Sequence, residues 1–275
     1  MRRLSKRDID SFRKTVFSYY RRHGRDLPWR KTREPYRIFV SEMMLQQTPV
    51  KRVLEKYGRF MERFPDFESV AKAPLKDVLA AWQGLGYNRR AIALQKAGGM
   101  VVREFGGELP RTVERLMTLP GIGHATACEI AAFAFEAPVV FIETNVRTVF
   151  IHHFFTDADA RVSDREILPL VEETLDVTRP REWYYALMDY GVMLKKEKGN
   201  PGRRSAHHVR QAPFENSDRQ VRGGIVRLLV AEPVLSEYQI ARRIRKSRRR
   251  VRENLERLES EGFLQRRGGR YRIAE

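Results

Sequence analysis

Leu119-Pro120-Gly121-Ile122-Gly123 is the stretch of this sequence whose residue types most directly prescribe chemistry. Two glycines two positions apart, between apolar helical segments, permit a tight hairpin whose consecutive backbone N–H groups point outward at the start of the next helix. A helix N-terminus offers unpaired donors and partial positive charge, a combination that suits a phosphate. An ordinary turn between packed helices is the plainer reading of a Gly-x-Gly, but the preceding Leu119-Pro120 and the flanking helices favour the phosphate site. A second cationic feature is the run Arg248, Arg249, Arg250 and Arg252, which follows Ser247, a residue able to cap a helix. Thiol chemistry is nearly absent. The single Cys128 can form no intrachain disulfide and cannot supply the four thiolates of a Cys₄ zinc site or an ordinary iron–sulfur cluster. The adjacent His207 and His208 diverge and have no further ligand in sight, so no metal site is expected.

The elements that must hold these groups are helices. Ile9, Phe12, Val16 and Tyr19–Tyr20 recur at helical spacing and predict a first helix that stops near His23–Gly24. Further helices are predicted over roughly Ile38–Leu45, Val50–Phe60, Phe67–Ala73, Leu75–Trp82, Arg89–Phe105, Val113–Leu119, Ala125–Phe135, Asn145–Phe155, Ile167–Val177 and Arg181–Leu194. Alternating strand patterns are scarce, so the fold class is all-α with one small α/β appendage.

Charge divides the chain. The 275 residues carry 53 Lys+Arg against 35 Asp+Glu, a net of +18, which implies a polyanionic partner, with nucleic acid ahead of a membrane surface. From Lys195 onward there are 22 basic and 10 acidic residues, a net of +12, against +6 in the remainder. The change falls in 195–218, a polar, turn-rich stretch expected to be a linker or arm between a main domain, 1–194, and a small basic domain, 219–275. No apolar run approaches the ~18 residues of a membrane span, and charges at Arg13, Lys14, Arg21 and Arg22 break any signal-peptide core. A cytoplasmic, nucleoid-associated monomer is expected.

In the small domain, Ile225, Leu228 and Leu229 mark a first helix. Ser236-Glu237-Tyr238-Gln239 is a capping box with Leu235 and Ile240 as its staple, and Val251, Leu255 and Leu258 form the inward stripe of a third helix. Phe263–Gln265 and Tyr271–Ile273 flank Gly268-Gly269, a hairpin signal. Three helices and a hairpin predict a winged helix-turn-helix, with Arg248, Arg249, Arg250 and Arg252 at the end that enters a DNA groove. A winged helix used for protein contacts is the alternative.

Six stretches resemble the helix-hairpin-helix (HhH-GPD) DNA glycosylases, and within them the MutY-type adenine glycosylases. They are LPWR at Leu27–Arg30, PYRIFVSEMMLQQTPV at Pro35–Val50, AWQGLGYNRRAIAL at Ala81–Leu94, LPGIGHATA at Leu119–Ala127, ETNVRTV at Glu143–Val149 and ALMDYGVM at Ala186–Met193. They stand in family order over roughly residues 8 to 194. The resemblance implies a two-lobed fold, with a barrel lobe at about 27–137 and a second lobe from about 1–26 plus 138–194. The cleft between the lobes would receive a nucleotide flipped out of double-stranded DNA at a mismatched or damaged base.

The resemblance also implies roles. Glu42, flanked by Met43, Met44 and Leu45, matches the general acid that protonates adenine at N7, its pKa raised by partial desolvation. Glu143, where the family ordinarily has Asp, would stabilise the oxocarbenium-like sugar. Being one methylene longer, it requires a moved backbone or an altered activity. Leu27, Trp29, Arg30, Leu45 and Asp189 match residues that build or border the base pocket, although Trp29 also reads as core. Gln47 and Tyr87 match residues that wedge into the DNA stack, and Leu119, Gly121 and Gly123 match the phosphate-binding hairpin.

Three departures qualify these expectations. Ala125 stands where bifunctional relatives such as endonuclease III carry a Schiff-base lysine, so a monofunctional enzyme without β-lyase activity is expected. Relatives place the first of four cluster cysteines at the position of Lys195, so a branch without the 4Fe–4S cluster, and without any other cofactor, is expected. Residues 195–218 must then replace the cluster's fold by their own contacts or hang loose, with Arg203, Arg204, His207, His208 and Arg210 available to phosphates. Longer relatives end in a domain that reads 8-oxoguanine, and the basic domain stands in its place here. The function expected is excision of adenine opposite 8-oxoguanine or guanine. The alternatives are a thymine or uracil mismatch glycosylase, or an impaired glycosylase fold that acts by binding DNA.

Overall fold

Ser5 opens the first helix by accepting a hydrogen bond from the Asp8 N–H at 3.2 Å while the Asp8 carboxylate accepts from the Ser5 N–H, a reciprocal cap that leaves neither donor unmet. The computed structural model describes residues 3–157, 159–208 and 213–275. Its helices are α1 (Lys6–His23), α2 (Pro35–Leu45), α3 (Val50–Arg63), α4 (Phe67–Lys72), α5 (Leu75–Trp82), α6 (Arg89–Glu104), α7 (Val113–Leu116), α8 (His124–Phe135), α9 (Thr144–Phe154), α10 (Asp164–Thr174), α11 (Pro180–Glu197), α12 (Asp218–Ala231), α13 (Glu237–Ile244) and α14 (Arg248–Ser260). Short 3₁₀ turns lie at Pro28–Arg30 and Pro201–Arg204, and three short strands, β1 (Leu235–Ser236), β2 (Leu264–Arg267) and β3 (Arg270–Ile273), lie near the end. Every helix expected from apolar spacing is present, with ends displaced by a few residues. The displacement that matters is at α11, which runs on through Lys195.

The chain forms two units. One comprises residues 3–39, Arg111–Met117 and 123–208. Its core is aromatic. Phe12 of α1 meets the edges of Phe150 of α9 and Trp183 of α11 at centroid distances of 5.4 and 5.7 Å, and Phe141 stacks on Tyr184 at 3.9 Å. Aromatic pairs of this kind add to the burial of large apolar surfaces. Within the same unit the 3₁₀ turn Pro201–Arg204 packs on α9, Val162 and Ser205 form a parallel bridge, and the Val162 N–H donates to the Arg204 carbonyl at 3.0 Å.

The other unit comprises Val40–Pro110, Thr118–Ile122 and 213–275. Here α4 and α6 press together at Gly98, where an added Cβ would lie 2.9 Å from Val70 Cγ1. The three C-terminal helices enclose Ile225, Leu229, Ile240, Val251, Leu255 and Leu258, and the strands form one antiparallel sheet in the order β1-β3-β2. The capping box at Ser236 forms as expected, with Gln239 N donating to Ser236 Oγ at 3.3 Å and Ser236 N to Gln239 Oε1 at 2.8 Å. Strand β1 adds a third member to the expected hairpin.

This division corrects the expected domain limits. Residues 219–275 do not stand apart from 27–137 on a linker. Helix α12 packs on α5, and Glu261 bridges Arg89 of α6 (2.7 Å) and Arg222 of α12 (2.9 Å). The barrel is also narrower than 27–137, because Ile38, Cys128, Ala132 and Phe133 are built into the aromatic core of the first unit.

Candidate active site

Glu42 lies on α2 between residues with no exposed surface, Val40, Met43 and Met44. Its own side chain is 5% exposed and accepts from Ser41 Oγ at 3.3 Å, so the apolar setting expected for it is present. Leu45, half-buried, ends the helix. The last turn of α2 is closed by a side chain from α6. The buried Arg90 guanidinium donates to the carbonyls of Met43 (2.8 Å) and Met44 (2.9 Å), to Thr48 Oγ1 (2.8 Å) and to the Gly86 carbonyl (3.0 Å). Burial pulls this guanidinium down to about 10.

The hairpin is tied to the same helix. Gln46 Nε2 donates to the Gly121 carbonyl at 3.1 Å. Gly121 has φ +80°, and a Cβ there would lie 2.7 Å from Ala93 Cβ and 3.1 Å from Met43 Cε, so only glycine fits. Gly123 differs. It has an ordinary extended backbone, a Cβ there would meet nothing within 4 Å, and as N-cap of α8 it places no side chain on that helix's first N–H groups. Leu119 is buried beneath the turn, and Ala125 is exposed in the first turn of α8. Gln47 (φ 52°) and Tyr87 (φ 46°) are exposed residues held in left-handed backbone, which costs non-glycine residues about 1–2 kcal/mol each. The Tyr87 hydroxyl accepts from Arg219 at 2.9 Å.

In the first unit, Glu143 is the N-cap of α9. Its Oε1 accepts from the N–H groups of Asn145 (2.6 Å) and Val146 (2.9 Å), and its Oε2 accepts from Asn145 Nδ2 (3.2 Å). The methylene that glutamate has beyond aspartate is taken up by this fold-back onto its own helix. Burial pushes the Glu143 carboxyl above its ordinary range, against the lowering effects of the Lys195 charge and the N–H bonds. The side chain is nonetheless only half-buried. Gly191 of α11 sets the approach of the two helices, since a Cβ there would lie 2.6 Å from the Asn145 carbonyl oxygen.

Leu27, Trp29, Arg30 and Asp189 fall in the same unit. Asp189 is 3% exposed, and its two oxygens accept from Arg25 N (2.7 Å), Arg25 Nε (2.6 Å), Arg30 Nη1 (2.8 Å) and Arg30 Nη2 (2.9 Å). Burial raises this carboxyl, but the Arg30 and Arg25 interactions outweigh it and hold it below the usual range. Asp189 therefore acts by fixing Arg25 and Arg30. The Arg30 guanidinium lies 4.4 Å from the centre of the Tyr185 ring. Trp29, at 2% exposed, is a core residue rather than a pocket face.

Of the arginines of α14, Arg248, Arg249 and Arg252 are exposed and Arg250 is half-buried, and all four are paired. Glu237 pairs with Arg248 (3.3 Å) and Arg252 (2.9 Å), Asp218 with Arg250 (3.1 Å), and Glu253 with Arg249 (3.7 Å). Solvent-exposed pairs of this kind contribute little to stability.

The stretch 195–208 is built into the first unit, while Arg210 lies outside the described residues. Arg204 donates to the carbonyls of Phe155 (2.8 Å) and Asp157, and Arg147 pairs with Asp164 at 2.6 Å. Cys128 is a buried packing residue of α8 whose thiol burial pushes up to about 11. Four thiolates are not available to a 4Fe–4S cluster in a chain with one cysteine, and Lys195 bonds Asn145 instead. Among the described residues no group of three or more His, Cys, Asp or Glu side chains gathers, and no helix is long and apolar enough to cross a membrane. Arg90, Gln46, Gly191 and Asn145 were not singled out by sequence reasoning. Each lies inside a matched stretch, but its role is a contact made across the fold.

The family model for the HhH-GPD superfamily base excision DNA repair protein matches residues 40–173. The adenine DNA glycosylase of Rattus norvegicus is 37% identical over 198 residues, covering 68% of this chain and 38% of the relative. Those of Mycolicibacterium smegmatis and Mycobacterium tuberculosis (strain H37Rv) are 37% and 33% identical over 234 and 247 residues, covering 78% and 82% of this chain and 78% and 80% of the relatives. The chain thus spans well under half the length of the rat relative but most of the mycobacterial ones. Among solved structures, a thermostable thymine-DNA glycosylase aligns with TM-score 0.62 at 24% identity, over 70% of this chain and 90% of that one. A trapped endonuclease III–DNA covalent intermediate aligns with TM-score 0.54 at 22% identity, over 70% and 86%. Both are likenesses of fold. With its six collinear stretches, its glycine hairpin and mycobacterial relatives matched over most of their length, the chain belongs to the HhH-GPD superfamily of base excision DNA repair proteins, in the adenine DNA glycosylase family.

Proposed function

We propose that this chain is a monofunctional DNA glycosylase that hydrolyses the N-glycosidic bond of a flipped adenine mispaired with 8-oxoguanine or guanine. The observation that carries the reading is Glu143, a desolvated but still reachable carboxylate aimed by three N–H bonds in a chain similar to adenine DNA glycosylases. Glu42 is the acid. Its carboxyl protonates N7, the C1′–N9 bond breaks with its electron pair leaving on the base, and the sugar becomes an oxocarbenium-like cation. Glu143 stabilises that cation until the oxygen of a water adds to C1′, one of the water's protons staying on the new hydroxyl and the other passing to solvent. With alanine at position 125 no lysine stands there to form a Schiff base, so the product is an abasic site in an intact strand.

The hairpin at Leu119–Gly123 holds a DNA phosphate, Gln47 and Tyr87 fill the space the flipped base leaves, and the arginines of α14 hold the backbone. The enzyme acts as a cytoplasmic monomer on chromosomal DNA, without an iron–sulfur cluster. Single-turnover base release with Glu42→Gln and Glu143→Gln tests the chemistry. Each variant is expected to lose at least about 10²-fold while retaining DNA affinity, and activity within a few-fold of wild type in either would contradict its assigned role.

A further inference from the structure

Asn145 stands between two charges. Its amide nitrogen donates to Glu143 Oε2 at 3.2 Å, and its amide oxygen accepts from Lys195 Nζ at 2.7 Å. A primary amide used at both ends couples the two charges, because an ammonium at the oxygen polarises the N–H bonds it directs at the carboxylate. Lys195 lies one helical turn beyond Gly191 on α11, so the close approach that demands glycine at 191 also brings the ammonium onto Asn145. Its surroundings are desolvating, and burial lowers the Lys195 ammonium despite the nearby Glu143 carboxylate.

Other charges around α9 are committed elsewhere. Arg147 pairs with Asp164 of α10, with His207 4.0 Å from that carboxylate. Arg204 is spent on main-chain carbonyls, and His153 shares a hydrogen bond with the Tyr190 hydroxyl at the far end of the helix. Among the described residues, Lys195 is the cation whose charge acts on Glu143.

We propose that Lys195 is a positioning residue for Glu143: acting through the Asn145 amide, it fixes the carboxylate against the N-terminus of α9 and supplies its counter-charge. This rests on the reading of Glu143 as the cation stabiliser. The position at which cluster-bearing relatives are expected to carry a thiolate is thus given over to the electrostatics of the site.

The test is a titration of Glu143 in the full-length protein, with glutamate ¹³Cδ labelling and Glu143→Gln to assign the resonance, in wild type, Lys195→Gln, Lys195→Met and Lys195→Arg. Loss of the charge removes a lowering influence, so the Glu143 midpoint is expected to rise by about one unit in the Gln and Met variants and to return in Arg. The acid limb of the single-turnover rate should move up by the same amount, giving a loss of about tenfold below that limb and little loss above it. The two neutral replacements guard against one failing to fold. An unmoved midpoint in whichever of them is folded overturns the proposal, as does a uniform loss at all pH values that Arg does not restore. If the wild type releases no base, the glycosylase reading fails, while the midpoint still decides the coupling.

Discussion

The Arg90 guanidinium lies 2.8 Å from the Met43 carbonyl, and through this bond α6 closes the helix turn next to Glu42. Arg90→Met leaves the carbonyls of Met43 and Met44 without this buried donor, while the Gly86 carbonyl keeps the Trp82 indole N–H at 3.1 Å. A loss of about 3 kcal/mol is expected in urea unfolding. Arg90→Lys should recover only a small part, because an ammonium cannot reproduce the planar fork. A cost below about 1 kcal/mol for Arg90→Met would show that the network is dispensable.

Glycine is required at 191 by contact and is idle at 58. Gly191→Ala drives a methyl into the Asn145 carbonyl, and a cost of about 1–3 kcal/mol together with slower base release is expected. Gly58, exposed on α3 with nothing within 4 Å of an added Cβ, should gain about 1 kcal/mol on replacement by Ala. Equal effects of the two substitutions would contradict the helix contact drawn here.

Glu261 gives the protein an acid-sensitive latch. The Arg89 hydrogen bonds, with Arg222 and against the effect of burial, hold this carboxyl at about 2. Its folded pKa is below the unfolded value of about 4.3, so its stabilisation is present above that value and is lost as pH falls toward 2. Glu261→Gln should therefore be less stable than wild type at pH 7, and the difference should shrink between about pH 4.5 and 2. A difference that stays constant with pH would reject the latch.

The α14 arginines should act through phosphates. Arg249→Gln and Arg252→Gln are each expected to weaken binding to matched and mismatched duplexes alike and to reduce the salt slope by about 1. Unchanged slopes would mean that the helix is used for something else. Point changes are the proper probe, because residues 213–275 share a unit with 40–110 and removing them would expose the α5 surface on which α12 packs.

Helix periodicity and the turn at Leu119–Gly123 were legible because they are local. Apolar spacing in α1 and the positive φ at Gly121 follow from neighbouring residues alone. The docking of the C-terminal helices was not legible, because Arg89 and Glu261 are 172 residues apart and nothing local distinguishes them from other charges. Glu143 could be suspected as a reactive carboxylate from ETNVRTV, but its folding back as an N-cap depends on the three-dimensional start of α9. Asp189 was expected at the base pocket. Its saturation by Arg25 and Arg30 could not be read, because three of its four hydrogen bonds come from side chains more than 150 residues away.

The most direct test of the central claim is to identify the base released in a single turnover from duplexes carrying A, T or U opposite G and A opposite 8-oxoguanine, followed by alkali and by borohydride trapping. Free adenine is expected from A opposite 8-oxoguanine or guanine, with strand breaks only after alkali and no trapped protein–DNA adduct. Release of thymine or uracil instead, or no base from any duplex, would contradict the claim.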